Sequence, residues 1–222
     1  MNKVIKFLIS SNFFLSSAWG LLAPIFAIFI LENIALENIA EGAKVAGFAA
    51  LSYWVTKSLF QIPISRYLDK VHGEKDDFWL MFAGLLLTAL SPFGFLISSL
   101  PWHIYAFQAL HGLGMALVVP AWNAIFTRHI DRGKEAYEWA MDSTFLGFAY
   151  GLTGAIGGII VAFVGFKTIF ILVGTLSVFS AFILLLVHKD VLPMDHTMDN
   201  FFARLKSIPR ISFLPFKKPR DL

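Results

Sequence analysis

Residues 78–127 read FWLMFAGLLLTALSPFGFLISSLPWHIYAFQALHGLGMALVVPAWNAIFT, fifty positions without one Asp, Glu, Lys or Arg. A bilayer's hydrocarbon core is about 30 Å thick, and a helix rising about 1.5 Å per residue needs roughly 20 apolar residues to cross it. This stretch therefore holds two crossings, near Phe78 to Ser98 and Trp102 to Phe126. Working outward, four more uncharged or nearly uncharged runs meet the same requirement: Phe7 to Leu31, Val45 to Ile64, Ser143 to Val164 and Thr168 to Val187. The runs are continuously apolar, whereas strands of a membrane barrel alternate over about ten residues, so helices are predicted. A chain that is 57% hydrophobic and only 15% charged, with a mean hydropathy of +0.70, departs from soluble composition in the same direction. The expected fold class is an all-α polytopic membrane protein with six transmembrane helices. Residues 1–189 form the six-span domain, and 190–222 a basic, Pro-interrupted cytoplasmic tail.

Lys3 and Lys6 ahead of an apolar run imitate a secretory signal, but the run continues to Ile30, well past a signal core, and reads as an uncleaved span. There is no cysteine, which removes disulfides and thiolate metal sites. Orientation follows from the basic residues, which accumulate on the cytoplasmic side of short loops. With the N-terminus inside, 15 of the 18 Lys and Arg are cytoplasmic, Lys44 and Lys167 face outside, and Lys57 lies within the second span. Both termini are thus expected in the cytoplasm and the protein in the cytoplasmic (inner) membrane. The net charge of +3 is explained by topology, with no nucleic-acid partner.

Span one contains Gly20, Pro24 and Phe26, and span four contains Ala116, Pro120 and Trp122: a small residue four before a proline and an aromatic two after it. The 96-residue offset is three spans, so the second copy would run in the opposite direction, as in a 3+3 inverted repeat. The loop after span one carries the pentapeptide Leu31-Glu32-Asn33-Ile34-Ala35 twice in tandem, a local duplication to which no chemistry is assigned. In the tail, Phe201, Leu205 and Ile208 at i, i+4 and i+7 suit one short helix lying on the inner leaflet, stopped by Pro209. A loosely ordered tail explains the same residues equally well.

The loop joining spans two and three reads Ser65-Arg66-Tyr67-Leu68-Asp69-Lys70-Val71-His72-Gly73-Glu74-Lys75. It resembles the signature loop of the major facilitator superfamily, with Ser65 in place of the first glycine and one extra residue between Lys70 and Gly73. The resemblance implies a cytoplasmic gate in which Asp69 sits in a charge network with Lys70 and Lys75, Gly73 makes the turn, and Arg128 or Arg132 supplies further basic partners. Span four, Gln108-Ala109-Leu110-His111-Gly112-Leu113-Gly114, is similar to the family's fourth-helix motif, with Gln108 standing where Arg is common and His111 where Gln is. In span five Gly147, Gly151, Gly154 and Gly158 form a stripe suited to close helix packing. Gly157-Gly158 is similar to the end of the family's fifth-helix motif, but Gly154 replaces its proline, and antiport is not inferred. By resemblance, six spans are one half of a twelve-helix transporter.

An ionisable group at mid-membrane requires a cavity, a partner or a route to the interface. Lys57 lies about 13 Å along its helix from Arg66, too far to snorkel easily. Trp54, Lys57 and Gln61 at i, i+3 and i+7 make one polar stripe, directed at substrate or at a structural partner. On span four, Gln108, His111, Met115 and Trp122 share a face that by resemblance lines the transport cavity. His111 is the candidate for binding or proton coupling, since an imidazole titrates at about pH 6.5, and a hydrogen-bonded packing histidine is the alternative. Asn123, Tyr150 and Thr153 are further cavity candidates. Glu138 and Asp142, four apart where span five enters the membrane, complement the helix dipole, and Asp142 is a second candidate for the gate.

The sequence thus predicts alternating-access transport of a small solute, by a parallel homodimer or with a separately encoded second half. The competing expectation is a non-transporting membrane scaffold or truncated half-transporter. No Gly-x-Ser-x-Gly elbow, His-Glu-x-x-His pair or paired membrane carboxylate supports an enzyme. No cofactor and no metal is expected.

Overall fold

The computed structural model describes residues 1–70 and 73–191, all helix and short turns, with no strand among the described residues. The predicted tail helix at Phe201, Leu205 and Ile208 lies outside the described residues. Helix α1 spans Lys3–Leu22 and α2 spans Phe26–Asn33; together they make the first predicted span. Asn2 starts α1 by accepting the Ile5 N–H at 3.0 Å, and Pro24, which has no N–H to give, separates the two helices. Helix α3 runs Ile39–Lys70, longer at both ends than the predicted second span. Helix α4, Glu74–Leu96, opens on Glu74, Asp76 and Asp77, and α5, Pro101–His129, opens on Pro101 and closes on Arg128 and His129. Both ends match the helix dipole and the tolerance of a first turn for proline.

Helix α6, Glu135–Leu185, has 51 residues. Straight, it would be about 76 Å long, more than twice the hydrocarbon core. Gly165, at φ 77° and ψ 174°, breaks it into arms 135–164 and 166–185, which correspond to the fifth and sixth predicted spans. Helix α7, His188–Val191, follows. Among the described residues, four runs are long and apolar enough to cross a membrane: Lys3–Asn33, α4, α5 and α6. Helix α3 falls short in apolarity because it carries Lys57, Gln61 and their polar neighbours, although it traverses the bundle.

That traverse is fixed by contacts at both ends. Gly42 of α3 packs on Leu31 of α2, while Leu68 and Asp69 border the same hollow as Thr127 and Arg128 of α5. Ion pairs gather the other termini at this second end. The Met1 ammonium meets Asp131 at 2.8 Å and Glu138 at 3.6 Å, Lys3 meets Asp190 at 2.7 Å, and Arg128 meets Asp77 and Glu74. The start of α1, the start of α4, the end of α5, the start of α6 and α7 therefore share one end of the bundle. Only an even number of traverses allows this.

Close helix contacts are built on small residues, as expected where lipid supplies no hydrophobic drive between helices. Gly20 and Leu21 of α1 lie against Thr153 and Gly157 of the first α6 arm, and Ser11 of α1 bonds Ser180 of the second arm at 2.9 Å. Gly112 of α5 sits under the Tyr53 carbonyl of α3, Gly114 of α5 against Gly84 of α4, and Gly174 of the second arm against Phe93 of α4. Exchange the first three spans for the last three, and this set of pairs maps onto itself. That is the relation a 3+3 repeat demands. The Pro24 and Pro120 copies differ only in backbone response, since α5 continues unbroken through Pro120.

The interior has two apolar cores, one towards the ion-paired end around Leu8, Phe78, Met81 and Phe126, and one towards the other end around Leu21, Phe95, Ile104 and Phe170. Outward-facing side chains are apolar too, with Phe163 84%, Phe148 67% and Leu59 66% exposed. An exterior of this kind suits lipid and not water.

Candidate substrate cavity

A cavity of about 560 Å3 opens between α1, α3, α5 and the first arm of α6, within the range of small-molecule sites. Helix α5 contributes Gln108, His111 and Met115; α3 contributes Tyr53, Trp54 and Lys57; α1 contributes Asn12, Ser16 and Trp19; and α6 contributes Tyr150. The His111 imidazole stacks on the Trp19 indole, ring centres 3.6 Å apart and planes 7° from parallel, and tilts against Tyr53 at 4.7 Å. Above this aromatic group the Lys57 ammonium lies 5.0 Å from the Trp54 ring centre and 5.8 Å from that of Tyr53. Among the described residues no carboxylate lies within ion-pair distance of Lys57.

Magnitudes decide what that arrangement means. A lysine at mid-membrane costs about 2.5–3.5 kcal/mol on insertion scales, and cation–π contact returns about 0.5–2 kcal/mol. Two ring contacts, together about 1–4 kcal/mol, are of the same order as that cost, so the aromatic rings are what make the ammonium tolerable here. His111 Nδ1 and Trp19 Nε1 are buried with no hydrogen-bond partner. Buried polar atoms left open in this way are rare in native interiors.

The predicted cavity residues divide into two groups. Trp54, Lys57, Gln108, His111, Met115 and Tyr150 come together. Gln61 and Asn123 do not: they border a separate hollow of about 460 Å3 between α3 and α5 that also meets Asp69 and Arg128. Trp122 is packing, stacked on Phe126 at 4.5 Å and set edge-on to Trp139 at 6.0 Å. Thr153 gives its hydroxyl to the Ala149 carbonyl and fills the space beside Gly20. The sequence reading overlooked Asn12, Ser16, Trp19 and Tyr53. A signal existed for each: Asn12, Ser16 and Trp19 fall at i, i+4 and i+7 on α1, and Tyr53 is one turn before Lys57.

At the ion-paired end, the charge network is built differently from the expected gate. Arg128 pairs with Asp77, which is wholly buried, and reaches Glu74 at 3.9 Å, while His129 Nδ1 lies 3.5 Å from Glu74. Asp69 shares the hollow with Arg128, but the guanidinium turns to the carboxylates on α4, which sit deeper. Gly73 caps α4 at φ −161°, extended backbone open to any residue, so the turn does not require its flexibility. Lys75 and Arg132 are exposed, as is Lys70. Asp142 accepts a 2.9 Å hydrogen bond from the Asn12 amide, tying α6 to α1 at the cavity's edge. Glu138 is buried and accepts the Asp131 N–H at 3.1 Å, and the Met1 ammonium bonded to Asp131 holds that carboxyl below the usual range.

Most of the glycine stripe is not where this chain packs on itself. A Cβ added at Gly147, Gly151 or Gly158 would meet nothing within 4 Å, and at Gly154 only Gly20 and Pro24 at ordinary contact distance. The close approach is made instead by Gly157, one residue round the helix, whose Cβ would collide with the Leu21 carbonyl.

Comparison with known proteins gives the architecture a family. The family model described as Major Facilitator Superfamily matches residues 8–211. A curated relative, the proton-coupled antiporter flippase LtaA of Staphylococcus saprophyticus subsp. saprophyticus, is 24% identical over 127 residues, covering 54% of this chain and 32% of the relative. The in meso crystal structure of the POT family transporter PepTSo superposes with a TM-score of 0.74 at 15% identity, covering 86% of this chain and 38% of that one. The chain spans about a third of the length of these two proteins. Because the family match runs through the whole helical bundle that frames the cavity, this chain is an integral membrane protein belonging to the major facilitator superfamily.

Proposed function

We propose that this protein transports a small solute across the cytoplasmic membrane by alternating access, with the cavity around His111 and Lys57 as its binding site. The observation that carries the reading is a polar, aromatic-walled cavity halfway along apolar helices, flanked by α3 and the first arm of α6. A cavity of this size holding an unpaired ammonium has no use in a packed structural bundle, where the same volume filled with apolar side chains is more stable. In this reading the N-terminus and α7 face the cytoplasm, and the Arg128–Asp77–Glu74 cluster closes the inner end. A parallel second copy or a separate second half supplies the facing wall, and the open glycines Gly147, Gly151 and Gly158 offer a surface for it.

The chain lacks cysteine, so a single introduced thiol reports alone. Gln108→Cys, placed in reconstituted liposomes, should react with an impermeant maleimide added from either side, because alternating access exposes one position to both solutions in turn. Reaction from one side only, or from neither, describes a fixed scaffold and ends the transport reading.

A further inference from the structure

The cavity's chemistry narrows what it can hold. Lys57 is the one formally charged side chain among the described residues that line it, and no described carboxylate pairs with it. Asp142, at the edge of the cavity, is already engaged by the amide of the lining residue Asn12. Around the ammonium the unsatisfied groups are nitrogens: Trp19 Nε1, which only donates, and His111 Nδ1, which donates in one tautomer, are both buried and unpartnered. The Gln108 amide lines the same space. The rest of the wall is largely apolar and includes the aromatic side chains of Tyr53, Trp54 and Tyr150, with Trp54 58% exposed. A cation on rings, with donors beside it and no acceptor charge, is a half-made site for an anion.

We propose that the cavity binds an organic anion, a carboxylate or phosphate carried on an aromatic or similarly flat apolar body. The anionic group meets Lys57 and the Trp19 and His111 nitrogens, and the body lies against Tyr53, Trp54 and Tyr150. A cationic solute is excluded by the uncompensated ammonium. A neutral one of the same shape leaves that ammonium as unpaired as it was before. The proposal rests on the transport reading above for its biological sense, but the binding preference stands separately.

The test uses the full chain purified into nanodiscs and three probes of one shape: 3-phenylpropionate, 3-phenylpropanamide and 3-phenylpropylammonium. Binding is measured by calorimetry and by quenching of tryptophan fluorescence, since Trp19 and Trp54 line the site. The carboxylate should bind at least tenfold more tightly than the amide, and the ammonium compound least. Lys57→Gln should bring acid and amide within about twofold of each other, Lys57→Arg should preserve the preference, and an unchanged melting temperature shows that both variants fold. Phosphatidylcholine nanodiscs with and without phosphatidylglycerol separate the two sources of an anion. Weakened phenylpropionate binding with the acidic lipid assigns the site to an anionic lipid headgroup, and unchanged binding assigns it to a free solute. The proposal is overturned if the acid binds no better than the amide, if no probe binds, or if the preference survives in Lys57→Gln. Should thiol labelling from both sides persist while acid selectivity is missing, the substrate class alone fails; acid selectivity with one-sided labelling fails the transport reading instead.

Discussion

Gly157 and Gly158 are adjacent, yet the structure assigns them opposite roles. A side chain at Gly157 would run into the Leu21 backbone of α1, which has no rotamer to give way, whereas one at Gly158 enters open space. Gly157→Ala should therefore lower the melting temperature in detergent, by the equivalent of about 1–3 kcal/mol for overpacking. Gly158→Ala should leave it unchanged or raise it, since alanine is the better helix former by about 1 kcal/mol. Equal losses at both sites would remove the assignment of Gly157 to the α1 contact. The pair also shows what the sequence could and could not give. Four glycines at helical spacing announced a close-packing face, but the face that packs inside the chain is set by how α1 is rotated, and spacing on one helix carries no record of its neighbour's angle. Lys57 is the opposite case. Its charge cannot be reconciled with lipid, so the cost of burial alone marks it for a cavity, and it lines one. Tyr53 and Trp19 escaped notice because an aromatic residue in a membrane helix incurs no such cost and so leaves no mark.

At the scale of the element, the long apolar helices were legible because hydrocarbon thickness fixes helix length; α3 overruns its predicted span at both ends, while the division of α6 at Gly165 falls within the gap left between the fifth and sixth predicted spans. How each break is made was not. Proline is the residue least suited to a helix interior, yet α3, α4 and α5 each continue through one, at Pro63, Pro92 and Pro120, while the reversal within α6 rests on Gly165. The reason is conformational: at φ 77° and ψ 174° only glycine is comfortable, and an L side chain there is strained by about 1–3 kcal/mol. Gly165→Ala should lower the melting temperature by several degrees, and Gly165→Val should lower it further. A single thiol at Lys167, two residues on, would register the rearrangement as altered labelling. A melting curve for Gly165→Ala that overlays the native one would show that the turn at this point does not depend on the positive φ.

For the molecule as a whole, the charge network is a statement about topology. Met1, Lys3, Glu74, Asp77, Arg128, Asp131, Glu138 and Asp190 belong to five chain segments, and their pairing at one end requires the chain to return to that end after every second traverse. The bias of basic residues then proposes that this end faces the cytoplasm. Single thiols at Lys75 and Lys134 should be protected from an impermeant maleimide added outside intact cells and react once the membrane is opened, while thiols at Lys44 and Lys167 should react from outside at once. The charge cluster proposed as the gate was only partly legible for a related reason: a signature loop identifies Asp69 by its place in the chain, but Arg128 pairs where the ion-pair energy is largest, with the carboxylates of Asp77 and Glu74 that burial has stripped of water. Reversed labelling, with Lys134 reached from outside and Lys167 shielded, would turn the bundle over, put the Arg128 cluster on the outer face, and leave the proposed inner gate without a foundation.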